Sequence, residues 1–254
     1  MKTLAWFEFK ETIRHRWWLF YSISLFLLSS LILYIGSSES MRANASLLNL
    51  VLLLVPLFSL IFGNMCFCES LPFQEILIAL SVSRFQIYFG KLVGLFLALS
   101  SAFVIGIGFS AWIFWSDIFL LLLIGILLTA IFLSIAFFLS ATIDRKELAL
   151  GTLLIIWLFF FLIYDILIMQ IALIFGDYPL EIPMFIMIFL NPIDLARILF
   201  TIQLDLSAMM GYSGALFQKY LGGFFGISIG VIALSIWVIL PSFFGYIFFQ
   251  EKDF

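Results

Sequence analysis

The chain has 254 residues, 65% of them hydrophobic and only 11% charged, with a mean hydropathy of +1.26. Soluble domains are about half apolar and about a quarter charged, so these values exclude an ordinary soluble fold and give an all-α integral membrane protein. The formal net charge of -3 decides little, because the placement of charge governs a membrane protein more than its sum.

The first residues read "TLAWFEFKETIRHRWW", 3–18. Trp6, Phe9, Ile13 and Trp17 recur every three or four positions, while Lys10, Glu11 and Arg14 fall largely elsewhere on the wheel. This pattern predicts a helix over 1–16 lying in the membrane interface, with Trp17 and Trp18 in the aromatic belt where the first span begins. The segment mixes acids with bases and lacks a short apolar run ending in a cleavage site, so it is not read as a signal peptide. His15 is the sole histidine, and among Arg14, Arg16 and Trp17 it reads as an interfacial polar residue.

A helix needs about 20 apolar residues to cross the hydrocarbon. Six runs meet this: 17–36, 47–68, 87–113, 118–141, 148–175 and 222–249. The third and fifth are longer than needed and are expected to tilt or project. Lys2, Lys10, Arg14, Arg16, Arg84, Lys91, Arg145, Lys146 and Lys252 fall on one side, and Arg42, Arg197 and Lys219 on the other. This bias puts both termini in the cytoplasm. A multi-pass protein of the inner (cytoplasmic) membrane is expected, forming a single domain over 1–254, with the lipid bilayer as its surroundings and no nucleic-acid partner.

Met65, Cys66 and Cys68 end the second run. Soft sulfur ligands suit Cu(I), but two buried thiols and a gap-filling methionine account for the same residues. The cysteines, one residue apart, imply no disulfide framework. Between the second and third runs lies "CESLPFQEILIALSVSRFQIYFGK", 68–91. Pro72 near a helix start and Gln74 and Glu75 in the first turn predict a short amphipathic helix to about Leu80. Ser83 with Gln86 forms a capping box that opens the third span. The apolar side of the short helix needs a cover, from headgroups or from a partner protein.

This stretch resembles the type 2 ABC transporter permeases. The shared features are the acidic start at Glu69, Glu75 before a Leu-rich turn, the Ser81–Val82–Ser83–Arg84 step and Gly90–Lys91. That family often has Gly-Thr where this chain has Pro72–Phe73, so the local turn is expected to differ. The resemblance extends to the "DRKE" loop at 144–147 and the terminal "KDF". It implies that 69–83 is a coupling helix, docking through Glu69, Phe73, Glu75, Ile76 and Arg84 on a separate P-loop ATPase that binds ATP and Mg. The segment "LNPIDLARIL…LDLSAMMGYSGALF", 190–217, is similar to the NosY-like permeases of nitrous oxide reductase maturation. That likeness implies a homodimer, a periplasmic accessory protein meeting an extracytoplasmic segment at 177–220, and a role in copper or sulfur supply for denitrification. An ABC-type exporter of a drug, lipid or polysaccharide is the alternative within the same fold. An intramembrane enzyme is the alternative outside it.

In the fifth run Asp165, beside Tyr164, stands in apolar surroundings. It either lines a pathway or marks an early end of the span near the headgroups. Residues 182–200 are not read as a seventh span, because Asn191, Pro192, Asp194 and Arg197 in their middle are costly in lipid. Asn191 as N-cap, Pro192 at the first position and Asp194 in the first turn instead start a helix of about three turns on the outer face, or partly re-entrant. These four residues are the candidates for a periplasmic contact. Met184, Met187, Met209 and Met210 near that face read as packing. Small residues at Gly90–Gly94 and Gly222–Gly226–Gly230 read as close helix contacts, within the subunit or between two.

The chain's own chemistry is sparse. Gly90–Lys91 is followed by Leu92 and preceded by Phe85 where a P-loop needs its first glycine, so ATP must bind elsewhere. "GYSG", 211–214, has no histidine in the outer or membrane region to act as base. The chain is therefore expected to be a non-catalytic permease subunit with no cofactor of its own.

Overall fold

The computed structural model describes residues 2–36, 40–114, 119–175, 181–203 and 223–252. The readings placed on Met209, Met210, "GYSG", Lys219 and Gly222, and on 177–180 and 204–220 of the outer segment, lie outside these residues.

The described chain is helical. Helix α1 (Lys2–Arg14) breaks at His15 and continues as α2 (Arg16–Ile35); α3 (Ser40–Glu69) leads into the short α4 (Leu71–Ala79). The long α5 (Arg84–Phe114) and α6 (Phe119–Thr142) follow. The next span is composite: α7 (Lys146–Leu158), a π-helical turn (Phe159–Ile163) and α8 (Tyr164–Ile174). Then come α9 (Glu181–Phe189), α10 (Pro192–Gln203) and α11 (Gly223–Glu251). By length and composition, six helical stretches among the described residues suffice to cross a bilayer: Arg16–Ile35, Arg42–Glu69, Arg84–Phe114, Phe119–Thr142, Lys146–Ile174 and Gly226–Glu251. They match the six apolar runs to within a few residues at most ends.

In lipid, apolar surface alone does not drive helices together, so close backbone approach and interhelical hydrogen bonds carry the association. Both occur at each main contact. Between α2 and α5, Gly106 lets α5 approach the Ser22 carbonyl, Ser29 Oγ donates to Ser110 Oγ at 2.7 Å, and Trp18 Nε1 donates to the Ala98 carbonyl at 2.8 Å. Between α3 and α6, Gly63 lies against Ala136, and Asn64 Nδ2 donates to Ser140 Oγ at 3.0 Å. Between α6 and α11, Gly245 sits against the Phe138 backbone, and Ser242 Oγ donates to Ser134 Oγ at 2.9 Å. Helix α6 is therefore central and mostly buried. The fifth span is little buried and presents Ile155, Leu162, Ile166, Met169 and Leu173 outward.

Of the two arrangements expected for this segment, the α9–α10 pair takes the re-entrant one. The two helices meet at a 108° bend, and α10 buries Ile193, Leu195, Ala196, Leu199 and Phe200. Phe189 at the apex accepts from Trp237 Nε1 at 3.1 Å, and Asn191 donates to the Phe160 carbonyl at 2.8 Å. Phe160 lies fourteen residues from either end of its span, and Trp237 is equally central in α11. At 1.5 Å per residue both are about 20 Å from the helix ends. The pair is thus a re-entrant hairpin reaching mid-span. It can enter there because its polar residues find partners inside the protein, so the expected lipid penalty does not arise.

Helix contacts this close predict a specific sensitivity. A Cβ on Gly63 falls 2.5 Å from Ala136 Cβ, whereas one on Gly151 meets nothing within 4 Å. Gly63→Ile should lower the thermal midpoint of the detergent-solubilised protein through about 1–3 kcal/mol of overpacking. Gly151→Ala should leave it unchanged or raise it slightly.

Candidate functional site

The end of the bundle that carries α1, α4 and the carboxyl terminus holds the first group of candidate residues. Helix α4 starts after Ser70, with Pro72 in its first turn, as the composition predicts. Its end is closed by Val82 N–H donating to the Leu77 carbonyl and Ser81 N–H to Ile78, with Ser81 at φ 61°. This is the left-handed helix stop usually made by glycine, and it gives the Ser81–Val82–Ser83–Arg84 step its geometry. The Ser83 carbonyl then accepts from Gln86 and Ile87 as α5 begins.

Gln74 fixes α4 from beneath. It is fully buried and donates to the Phe67 carbonyl at 3.3 Å and Ser70 Oγ at 2.9 Å. With that side turned inward, Phe73, Glu75, Ile76 and Leu80 face outward, and Phe73 stacks on Phe7 of α1 at 5.9 Å. The other two candidates are engaged within the chain. Glu69 accepts from Lys146 Nζ at 2.6 Å, tying the start of the ledge to α7. Arg84 Nη1 donates to the carbonyls of Phe249, Gln250 and Lys252, closing the end of α11. Lys252 also meets Asp144 at 3.2 Å. The ledge is thus tied to the loops before α5 and α7 and to the carboxyl end.

Sequence reasoning used Lys91 to orient the chain and in the Gly90–Lys91 step, and gave it no partner. The structure buries it, 2% exposed, with Nζ 2.5 Å from Glu8 Oε1; Glu8 is itself 5% exposed. Cys66 Sγ lies 3.8 Å from Glu8 Oε2. Gly94 makes this possible, because a Cβ there would stand 2.6 Å from the Ala5 carbonyl and 2.7 Å from Glu8 Cβ. Helix α1 therefore packs Ala5 and Glu8 against α5 and turns Trp6 and Phe7 outward. The available signal was a lysine two turns inside an apolar helix, beside a glycine pair. Such a cation requires a counter-ion. Met65, Cys66 and Cys68 are not joined by other ligands: the cysteines are free thiols, and no cluster of three or more His, Cys, Asp or Glu exists among the described residues.

The second group gathers at the re-entrant hairpin. Asn191 Oδ1 caps α10 by accepting from Ile193 N–H at 3.0 Å. Its Nδ2 donates to the Phe160 carbonyl and to Asp194 Oδ2 at 2.7 Å. Arg197 Nη1 reaches Asp165 at 2.7 Å and Asp194 at 3.0 Å. Tyr164 donates its hydroxyl to the Met187 carbonyl at 2.6 Å. Asp165, Asn191, Asp194 and Arg197, read separately in the sequence, thus form one network, and Pro192 sits buried beside it at the start of α10. Asn191 and Asp194 are buried, while Arg197 and Asp165 keep partial exposure. The π-helical turn supplies the Phe160 carbonyl, and nothing in "FFFLI" announces it.

The buried pair predicts a double-mutant pattern. Glu8→Gln or Lys91→Met alone leaves a buried charge without its partner and should destabilise by about 3 kcal/mol. The double variant should recover most of that loss. Thermal midpoints of the three variants in one detergent give the comparison, and additive losses would contradict the direct pairing.

No family model matches the chain. It is 28% identical over 233 residues to the probable ABC transporter permease protein NosY of Pseudomonas aeruginosa, covering 82% of this chain and 84% of that protein. It is 25% identical over 271 aligned positions to the protein of the same name from Stutzerimonas stutzeri, covering 96% of each. Over most of its length, and with six membrane-scale helices beneath the likeness, the chain is thus similar to two proteins named as probable ABC transporter permeases.

Proposed function

We propose that the chain is the non-catalytic membrane subunit of an ABC transporter, driven by a separate P-loop ATPase that docks on α4. The observation that carries this reading is the α4 ledge itself. It presents Phe73, Glu75, Ile76 and Leu80 outward, while Gln74 and the Glu69–Lys146 pair hold its other side. An apolar patch edged by a carboxylate suits a protein partner better than bulk water. In this reading the ledge lies in the cytoplasm, as the placement of Lys and Arg favours.

Two copies of the chain, each with an ATPase subunit, complete the assembly. Because Glu69 and Arg84 are held by α7 and by the end of α11, a push on α4 is shared with both outer spans. The hairpin at the far end carries Asn191, Asp194 and Arg197 and is the element through which motion reaches an accessory protein on the opposite side. The likeness to the two NosY proteins supports a role in supplying copper or sulfur for nitrous oxide reductase maturation. Cargo need not bind this chain for that role.

Co-purification tests the docking. The tagged wild-type chain should recover a P-loop ATPase from its own membranes. Ile76→Asp and Glu75→Arg should each reduce recovery by about tenfold, since losing one interface anchor costs about 1–2 kcal/mol. Undiminished recovery with both variants would remove α4 as the docking element.

A further inference from the structure

A cavity of about 330 Å³ opens between α1, α3 and α5 at the basic end of the bundle, and the transporter reading leaves it unused. Its inner wall is apolar, from Phe62, Leu95 and Leu99. The cavity is also lined by the aromatic rings of Phe7, Phe73 and Trp17 and by three carboxylates, the buried Glu8 and the more exposed Glu11 and Glu69. Glu8 is taken by Lys91 and Glu69 by Lys146. That leaves Glu11 as the lining carboxylate without an ion-pair partner among the described residues. A single carboxylate beside aromatic faces selects an organic cation.

The next depression along α1 shares Phe7, Glu11 and His15 with the cavity and adds Lys10 and Arg14. Negative and positive groups thus adjoin on one helix face, with Glu11 at the junction. Trp6 and Trp17, both more than half exposed, mark this face as interfacial. An occupant that matches all of this carries an ammonium one short linker away from an anion, and an apolar body. The volume sits at the small end of ligand-sized cavities, enough for a headgroup and not for a whole two-chain lipid.

We infer that this cavity holds the headgroup of a zwitterionic aminophospholipid from the adjoining leaflet, with its ammonium at Glu11 and its phosphate at Arg14 and Lys10. The cavity shares Glu69 and Phe73 with the docking ledge, but Lys10, Glu11 and Arg14, which hold the headgroup, lie on α1 outside it.

Native mass spectrometry of the full chain released from detergent tests this. Added dihexanoyl phosphatidylethanolamine should be retained at least fivefold over the phosphatidylglycerol analogue. Glu11→Gln should lower its retention by about tenfold, as expected for one charge-assisted contact. Arg14→Gln, which alters the phosphate end, should also lower it, whereas Glu147→Gln, on α7 outside the cavity, should not. Circular dichroism of each variant shows that the helices persist. Equal retention of both headgroups by the wild type, or unchanged retention in both Glu11→Gln and Arg14→Gln, would overturn the site. Displacement by free phosphoethanolamine at equal concentration would overturn its assignment to a membrane lipid.

Discussion

A guanidinium set among apolar spans must be matched where it sits, and in this chain Arg197 is matched by two carboxylates from different elements. Asp194 comes from its own helix and Asp165 from the span beside it. Asn191 adds the bond that reaches the π-helical turn. Without these partners the polar residues of 191–197 would meet lipid, and the segment would be expelled toward water. With them, the hairpin sits between α3, α6 and α11, and Leu199 fills the space left by Gly230. The same rule acts at the other end, where Lys91 is admitted to the interior only because α1 brings Glu8 to it.

The two ends differ in how they are fastened, and this bears on transmission. At the basic end, ion pairs and carbonyl contacts join α4, the start of α5, the start of α7 and the end of α11. Glu69–Lys146 and Asp144–Lys252 are partly solvated, and each alone contributes little. Arg84 is different, since one side chain binds two carbonyls of the last helix and that of Lys252 just beyond it. At the far end the hairpin leans on the fifth span, the most lipid-exposed one, through a π-turn that interrupts its regular hydrogen bonding. Between α4 and the hairpin the structure thus runs through a braced region and then an irregular helix joined to the hairpin by side chains.

Much of this was legible in the sequence, for physical reasons. The bilayer imposes a length of about 20 apolar residues, and the six runs obey it. Helix starts were legible where local chemistry specifies them. Asn191–Pro192 opens α10 as read, and α5 begins after Ser83, whose carbonyl takes the first backbone bonds. What stayed hidden was pairing at long range. In a helix apolar all round, periodicity does not say which face meets a neighbour. Hence Lys91 was read without Glu8, which lies eighty-three positions away and was not singled out. Asp165 was left between two readings because its partner lies thirty-two residues away. The depth of α10 was hidden for the same reason: its cost in lipid was visible, but the groups that remove that cost were not.

The central claim is that the hairpin apex lies at mid-bilayer depth, held there by Asn191 and Arg197. Leu190, at the apex and more than half exposed, reports on it directly. A spin label at Leu190→Cys, with Cys66 and Cys68 replaced by serine, is read in liposomes by paramagnetic accessibility. The account predicts strong relaxation by oxygen and almost none by a water-soluble nickel chelate, as for a label near the bilayer centre. Ready access to the nickel chelate, as for a label at the headgroups, would contradict it.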